Sequence, residues 1–165
     1  MSSSARNASA MNARAMAEFR KQLERLPVEF DESAKRIVNQ FCAVAERESK
    51  RVTPVGNYPK DISFVTRSGK VVRFTTGVKK QGGTLRRGWY RVSAKKYGKA
   101  WAGSWANNVS YAGYVNDGHR VVRNGETIGF VEGRFMLEIG QRAAEKALPS
   151  LLNAEIARIK GKTGF

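Results

Sequence analysis

Residues that could carry acid–base or metal chemistry are few in this sequence and widely spaced. His119 is the single histidine, and no His, Cys, Asp and Glu group shows metal-ligand spacing. A metal-dependent nuclease would need that histidine and several carboxylates to meet in space. The candidates in the middle of the chain are Asp61, Asp117, Glu126 and Glu132. The spacing favours a protein that is not an enzyme, with no metal and no cofactor.

Two other features are weak candidates for chemistry. Gly82-Gly83-Thr84 lacks the Gly-Lys-Ser/Thr ending and the strand–loop–helix setting of a phosphate-binding loop. Cys42 is the single cysteine and falls among apolar residues at helical spacing, which predicts a small core residue. Because no second cysteine exists, folding requires no internal disulfide.

Positive charge is concentrated in the middle of the chain. The 165 residues include 30 Lys and Arg against 14 Asp and Glu, a net charge of +16. From Lys50 to Lys99 there are 14 basic residues and one acid, Asp61, a net of +13. Such a field attracts nucleic acid or an acidic protein surface, unless it is only a solvated face. Basic and aromatic residues alternate from Arg86 to Trp101, so a basic nucleic-acid-binding module remains the alternative.

Helical periodicity dominates both ends of the chain. It predicts one long N-terminal helix kinked at Pro27, with segments near 11–26 and 28–52. The polar residues 1–10 are expected to form a flexible arm. A final helix is predicted over about 134–160. No apolar run approaches the roughly 20 residues needed to cross a bilayer, which predicts no membrane contact.

Between these helices the pattern is that of short strands and turns. Residues 57–82 alternate apolar and polar side chains around Ser68-Gly69, which predicts an extended, basic β-hairpin loop. Asn124-Gly125 predicts the turn of another hairpin. The stretch before Gly118 is expected to be a short turn or helix.

The order of elements predicts an α+β fold. We expect a small antiparallel sheet with the C-terminal helix packed on it. The length suits a single domain over 11–160, with the hairpin loop 57–82 inserted in it. Residues 161–165 are expected to be a flexible tail.

Four short motifs follow one another along the chain. They are Thr53-Pro54-Val55, then Gly83-Thr84-Leu85-Arg86-Arg87-Gly88-Trp89, then Asn108-Val109-Ser110-Tyr111-Ala112-Gly113-Tyr114-Val115-Asn116-Asp117-Gly118-His119, then Gly129-Phe130-Val131-Glu132-Gly133-Arg134-Phe135-Met136. In this order they resemble the tail-completion or head–tail joining (neck) proteins of tailed bacteriophages, a family similar to lambdoid minor tail protein Z. The likeness spans about residues 10–160.

The resemblance implies a structural virion protein that completes the tail or joins head to tail. It implies a homo-oligomeric ring at the neck, six-fold by resemblance, that meets other neck, connector or tail-tube proteins. Assembly would take place in the host cytoplasm. The residues that the resemblance marks as family motif and core are Thr53, Pro54, Leu85, Arg86, Trp89, Asn108, Tyr111, Ala112, Tyr114, Val115, Gly118, Gly133 and Arg134.

This sequence departs from the family pattern at two places. About 27 residues, Gly56 to Gly82, stand where family members pass from Thr-Pro-Val to the next motif in a few residues. Asn116 stands where family members often carry Glu.

Two expectations concern side chains that could meet a partner. Four large aromatic residues are expected to lie in the core and not on a ligand-binding surface, because each can bury on the order of 150–250 Å². They are Trp89, Trp105, Tyr111 and Tyr114. The cations of the inserted loop are expected either to line a lumen that contains DNA or to meet an acidic partner surface. Contact with the genomic DNA would not depend on its sequence. These cations are Lys60, Arg67, Lys70, Arg73, Lys79 and Lys80.

Overall fold

The computed structural model describes residues 3–57, 61–75 and 82–164, with side chains from residue 11 onward. In chain order the elements are α1 (Ser3–Val52), β1 (Asp61–Val65), β2 (Val71–Thr75), α2 (Thr84–Arg87), β3 (Trp89–Tyr97), β4 (Ala100–Asn107), α3 (Ala112–Asp117), β5 (Gly118–Arg123), β6 (Glu126–Glu132) and α4 (Met136–Thr163). Long helices at both ends enclose antiparallel hairpins in sequence, so the predicted α+β class is confirmed. Within the described residues, no helix is long and apolar enough to cross a membrane.

Helix α1 is one continuous element of 50 residues, with Pro27 inside it. It begins at Ser3, so the predicted start near residue 11 was wrong. Residues 3–10 include three Ala and one Arg, whose high helix propensity extends the helix toward the terminus. Helix α4 likewise passes through Pro149 and extends to Thr163, beyond the predicted end. The flexibility expected of residues 1–10 and 161–165 stays a prediction.

The strands form three separate two-stranded ribbons in the described residues, and not the single small sheet that was expected. The ribbons are β1–β2, β3–β4 and β5–β6. Each pairs strands that are neighbours in sequence, so each is closed by its own turn.

Two of the turns follow the sequence signals closely. In the first hairpin, Gly69 has φ +78° and donates to the carbonyl oxygen of Thr66 at 2.9 Å. In the last hairpin, Asn124 and Gly125 have φ values of +50° and +85°, the pair of left-handed residues that a tight hairpin turn requires. Both predicted turns are confirmed.

The two short helices differ in how well the sequence indicated them. Helix α3 lies where a short turn or helix was expected. Helix α2 has four residues, Thr84–Arg87, and was not predicted. One turn of helix is too short to show a 3.6-residue period.

The chain divides into two compact units, each made of separate stretches of sequence. Unit 1 comprises Met1–Val44, Val92–Ser104 and Ala143–Phe165, and unit 2 comprises Ala45–Arg91 and Trp105–Arg142. The single domain expected over 11–160 stays a prediction.

Unit 1 is held by a buried polar cluster between α1 and α4. The Glu155 carboxylate accepts hydrogen bonds from Ser33 Oγ at 2.8 Å, Arg36 Nε at 3.0 Å and Arg158 Nε at 2.8 Å. Burial raises the pKa of Glu155, but the bonds from Arg158, Ser33 and Arg36 outweigh it and lower this pKa to about 2. Glu155 is therefore ionised at neutral pH. Cys42 is buried, as predicted.

Candidate functional site

The four sequence motifs all lie in unit 2. Leu85 and Trp89 of the second motif and Met136 of the fourth form its buried apolar core. Partly buried residues pack around these three side chains. They are Val52, Trp105, Val109, Ala112 and Val115. Residues far apart in sequence are thus assembled into one structural centre.

Thr53 joins the first motif to the second. Its side chain is fully buried at the end of α1, and Oγ1 donates to the carbonyl oxygen of Ser49 at 2.6 Å. The same Oγ1 accepts a hydrogen bond from Trp89 Nε1 at 2.8 Å. The Thr53 carbonyl oxygen accepts from Arg86 Nη2 at 2.7 Å and Nε at 3.2 Å. Pro54 follows and is exposed, at the point where the helix ends.

Asn116 joins the third motif to the fourth. Its Oδ1 accepts a hydrogen bond from the backbone N–H of Leu137 at 3.0 Å, which caps the first turn of α4. Its Nδ2 donates to Asp117 Oδ1 at 2.7 Å and to the Glu138 carboxylate at 3.1 and 3.2 Å. These contacts require a side chain that has both a hydrogen-bond acceptor and a donor. An ionised glutamate, which family members often carry at this position, has no donor. Asn116 is not among the residues that the family resemblance marks as motif and core.

The backbone reinforces the junction between the third and fourth motifs. Arg134 N donates to the carbonyl oxygen of Val115 at 2.9 Å, and Phe135 N donates to that of Asn116 at 2.9 Å. A Cβ at Gly133 would overlap the Asn116 carbonyl oxygen, so glycine is required for this approach. Gly118 has φ +84°, a left-handed backbone conformation that favours glycine.

The aromatic residues divide between core and surface. Trp89 is buried and Trp105 is half-buried, whereas Tyr111 is 45% exposed and Tyr114 is 65% exposed. The prediction that both tyrosines lie in the core was wrong.

The six-residue helix α3 explains the exposure of Tyr114, whereas Tyr111 precedes the helix as its N-cap residue. It turns Ala112, Val115 and Asn116 inward, and these positions form one helical face. Tyr114 points elsewhere and contacts the His119 ring edge-on, with ring centroids 6.0 Å apart. His119 Nδ1 also lies 3.3 Å from the Tyr114 carbonyl oxygen. Asn108 is exposed, and its backbone N–H donates to Gly88 O at 3.1 Å.

A cavity of about 300 Å³ opens beside the core of unit 2, and we refer to it as the acidic-rimmed cavity. Apolar contact surface is supplied by Trp89, Trp105 and Met136, and carboxylates by Asp117 and Glu138. The remaining lining residues are Ala106, Asn107, Ala112, Gly113, Asn116 and Leu137. Among the described residues, no ion pair includes either carboxylate, although the chain carries a net charge of +16.

The inserted hairpin, which carries β1 and β2, belongs to unit 2, and the residues at its two ends lie close together. A Cβ at Gly82 would overlap the carbonyl oxygen of Gly56, so the two ends of the insertion touch. A direct connection between Gly56 and Gly82 would therefore span almost no distance.

The two strands of the inserted hairpin have an apolar face. Cross-strand pairing of Ile62 with Phe74 and of Phe64 with Val72 places these four side chains together. The rings of Phe64 and Phe74 meet edge to face, with centroids 6.4 Å apart. Phe64 is nevertheless 49% exposed and Phe74 is 47% exposed. The described part of the chain leaves this face largely open.

The cations expected to meet DNA or a partner are only partly described. Arg67, Lys70 and Arg73 are exposed, and none forms an ion pair with any described residue. Lys60, Lys79 and Lys80 lie outside the described residues. The inserted hairpin therefore presents at least three uncompensated cations beside an apolar face.

The basic and aromatic stretch from Arg86 to Trp101 does not form one stacking surface. Trp89 is in the core of unit 2. In unit 1, Trp101 Nε1 donates to Asp31 at 3.0 Å, with Lys35 and Lys96 placed over the indole ring. The exposed aromatic residues of the stretch are Tyr90 and Tyr97. For the nuclease alternative, the described residues contain no group of three His, Cys, Asp or Glu that could hold a metal ion.

Comparison with known proteins gives one match. A family model described as "Bacteriophage HK97-gp10, putative tail-component" matches residues 17–118, which cover more than half of the chain. The matched segment contains the first two motifs, the third motif as far as Gly118, and the inserted hairpin. Neither the curated proteins nor the solved structures contain a match.

Proposed function

Since the chain belongs to the HK97-gp10-like family of bacteriophage tail components, we propose that it is a ring subunit at the virion neck. Family membership supports a structural role in the phage tail, among other virion proteins. The finer proposal is that this subunit completes the tail or joins it to the head. Such a role requires surface burial and no covalent chemistry, so the proposed subunit is not an enzyme.

The observation that carries this proposal is the amount of large apolar surface left exposed. Soluble monomers rarely expose apolar patches beyond a few hundred Å², and larger ones mark interaction surfaces. Exposed apolar side chains occur on α1, on the inserted hairpin and on the β5–β6 ribbon. They include Met11, Met16, Leu23, Val28, Phe30, Phe64, Val65, Val71, Phe74, Val122, Ile128, Phe130 and Val131. An assembled subunit would bury much of this surface.

A ring also accounts for the variety of these surfaces. Copies joined head to tail use two different patches, one on each side of the subunit, and close when the rotation between neighbours permits. Each described strand pairs with one neighbour only, which leaves an edge on every ribbon. We expect the inserted hairpin to reach a neighbouring copy or another neck protein and to be stabilised there, because an isolated hairpin is marginal in water.

The proposal is tested with the purified chain at a series of concentrations. Analytical ultracentrifugation gives the mass, and negative-stain microscopy gives the shape. We expect a closed ring, with six copies as the family resemblance implies. A particle that stays monomeric at every concentration and salt condition contradicts the proposal.

Contact with genomic DNA is the second candidate function. The observation that favours it is the exposure of Arg67, Lys70 and Arg73 outside any ion pair of the described residues. Phosphate contacts of this kind are independent of sequence and weaken steeply as salt rises. A gel shift with duplex DNA at about 50 and 200 mM salt distinguishes a stand-alone nucleic-acid-binding module from a DNA contact in the ring lumen. Tight binding by a monomer would favour a stand-alone nucleic-acid-binding module, whereas weak, salt-sensitive binding by a ring would favour a lumen contact.

A further inference from the structure

We propose that the inserted hairpin of one copy docks on a second copy of this chain, where Arg67 and Lys70 enter the acidic-rimmed cavity. The inference rests on the proposed ring and names the two surfaces that would form it. One surface is the turn of the hairpin, and the other is the cavity bounded by Asp117 and Glu138.

The inserted hairpin has the properties of a segment that is completed by a neighbour. Phe64 and Phe74 expose about half of their surface, and Ile62 and Val72 lie on the same face. The turn between the strands is held by local bonds, including Lys70 N to Thr66 Oγ1 at 3.1 Å. A formed turn presents its cations in a fixed place, which lowers the entropy lost on docking.

The acidic-rimmed cavity has the properties of a site for a long cationic side chain. At about 300 Å³ it has the volume of roughly ten water molecules, which is too small for a strand but suits one or two side chains. The half-buried Trp105 in its lining can cover the methylene stem of Arg or Lys. Asp117 and Glu138 can then receive the charged head through charge-assisted hydrogen bonds.

Charge identifies a second copy as the occupant. Chains with a net charge of +16 repel one another, so their association needs a local match of opposite charges. Asp117 and Glu138 take part in no ion pair of the described residues, and neither do Arg67 and Lys70. The same chain therefore carries both halves of a complementary contact. Each copy offers one hairpin and one cavity, which is the arrangement that a closed head-to-tail ring uses.

A charge-exchange experiment on the full chain tests the docking. Lys70→Glu and Asp117→Lys are made singly and together, and subunit association is measured by analytical ultracentrifugation. Each single reversal should weaken association at least about tenfold, and the double variant should recover most of the loss. Lys99→Glu is the matched control, because it also reverses an exposed cation at a hairpin turn, here the turn between β3 and β4. Thermal unfolding of every variant reports whether unit 2 is intact.

The outcomes separate this inference from the ring itself. Recovery in the double variant supports the docking, because a merely misfolded Asp117→Lys chain would not be restored by a change in the hairpin. A wild-type ring that survives both single reversals overturns the docking and leaves the ring standing. If Lys70→Glu abolishes DNA retention without changing the ring, the docking is overturned and the cations belong to a nucleic-acid contact. A wild-type chain that never assembles overturns both proposals.

Discussion

Replacing Thr53 by valine tests whether its hydroxyl group stabilises unit 2. Valine has nearly the same shape but no hydroxyl, so Trp89 Nε1 loses its acceptor at 2.8 Å. Trp89 is 5% exposed, which leaves little access for water to replace that acceptor. The Ser49 carbonyl oxygen keeps its hydrogen bond from the Thr53 backbone N–H at 3.1 Å. The main consequence is thus one buried, unpaired indole N–H.

The expected cost follows from that unpaired group. A buried donor left without a partner costs about 1–3 kcal/mol. For a chain of this size, each kcal/mol lowers Tm by about 2–4 °C, so Thr53→Val should lower Tm by about 2–12 °C. If the hydrogen bond is the cause, the cost should nearly vanish in a Trp89→Phe background, which has no indole N–H.

The assay is urea and thermal unfolding of both single variants and the double variant. Thr75→Val is the matched control, because Thr75 Oγ1 donates to Asp61 Oδ1 at 2.6 Å on an exposed strand. Loss of that exposed bond should change the free energy of unfolding by about 0.5 kcal/mol or less. If Thr53→Val costs no more than Thr75→Val, or if its cost is unchanged in the Trp89→Phe background, the buried hydrogen bond is not the cause.

Two further predictions concern ionisable groups. Asn116→Asp keeps the cap on Leu137 but removes the donor that separates two carboxylates, so it should lower the free energy of unfolding by about 1–3 kcal/mol at pH 7. The deficit relative to wild type should shrink as added salt screens the carboxylates, and a deficit unchanged at about 1 M salt contradicts the repulsion. The pKa of Glu155 is lowered to about 2 in the folded protein. Glu155 therefore contributes to the free energy of unfolding at pH values above its ordinary pKa, and this contribution is lost as the pH falls toward 2. Thermal unfolding from pH 7 to pH 2 should therefore show a loss that Glu155→Gln does not share.

Much of the fold follows from local sequence signals. The turns at Gly69 and at Asn124-Gly125 could be predicted because left-handed backbone favours these residue types. The long helices follow from apolar periodicity, although proline gave no break in either. The separation of the strands into three ribbons could not be predicted, because pairing beyond a hairpin depends on contacts remote in sequence.

The candidate site was predicted less well than the fold. The motif residues Thr53, Leu85 and Trp89 do form one buried cluster, yet their hydrogen bonds depend on positions that no local pattern reveals. Tyr111 and Tyr114 were expected in the core because aromatic residues usually lie there. A helix of six residues buries only one face; Tyr114 lies on the other face, and Tyr111 precedes the helix as its N-cap residue.

The most direct test of the account compares the full chain with a variant in which residues 57–81 are deleted and Gly56 is joined to Gly82. Because these glycines already touch, unit 2 should keep its fold, which thermal unfolding can verify. Sedimentation of both chains at equal concentration then gives their masses. We expect a ring from the full chain and a folded monomer from the shortened one. A shortened chain that still assembles into the same ring would contradict the account.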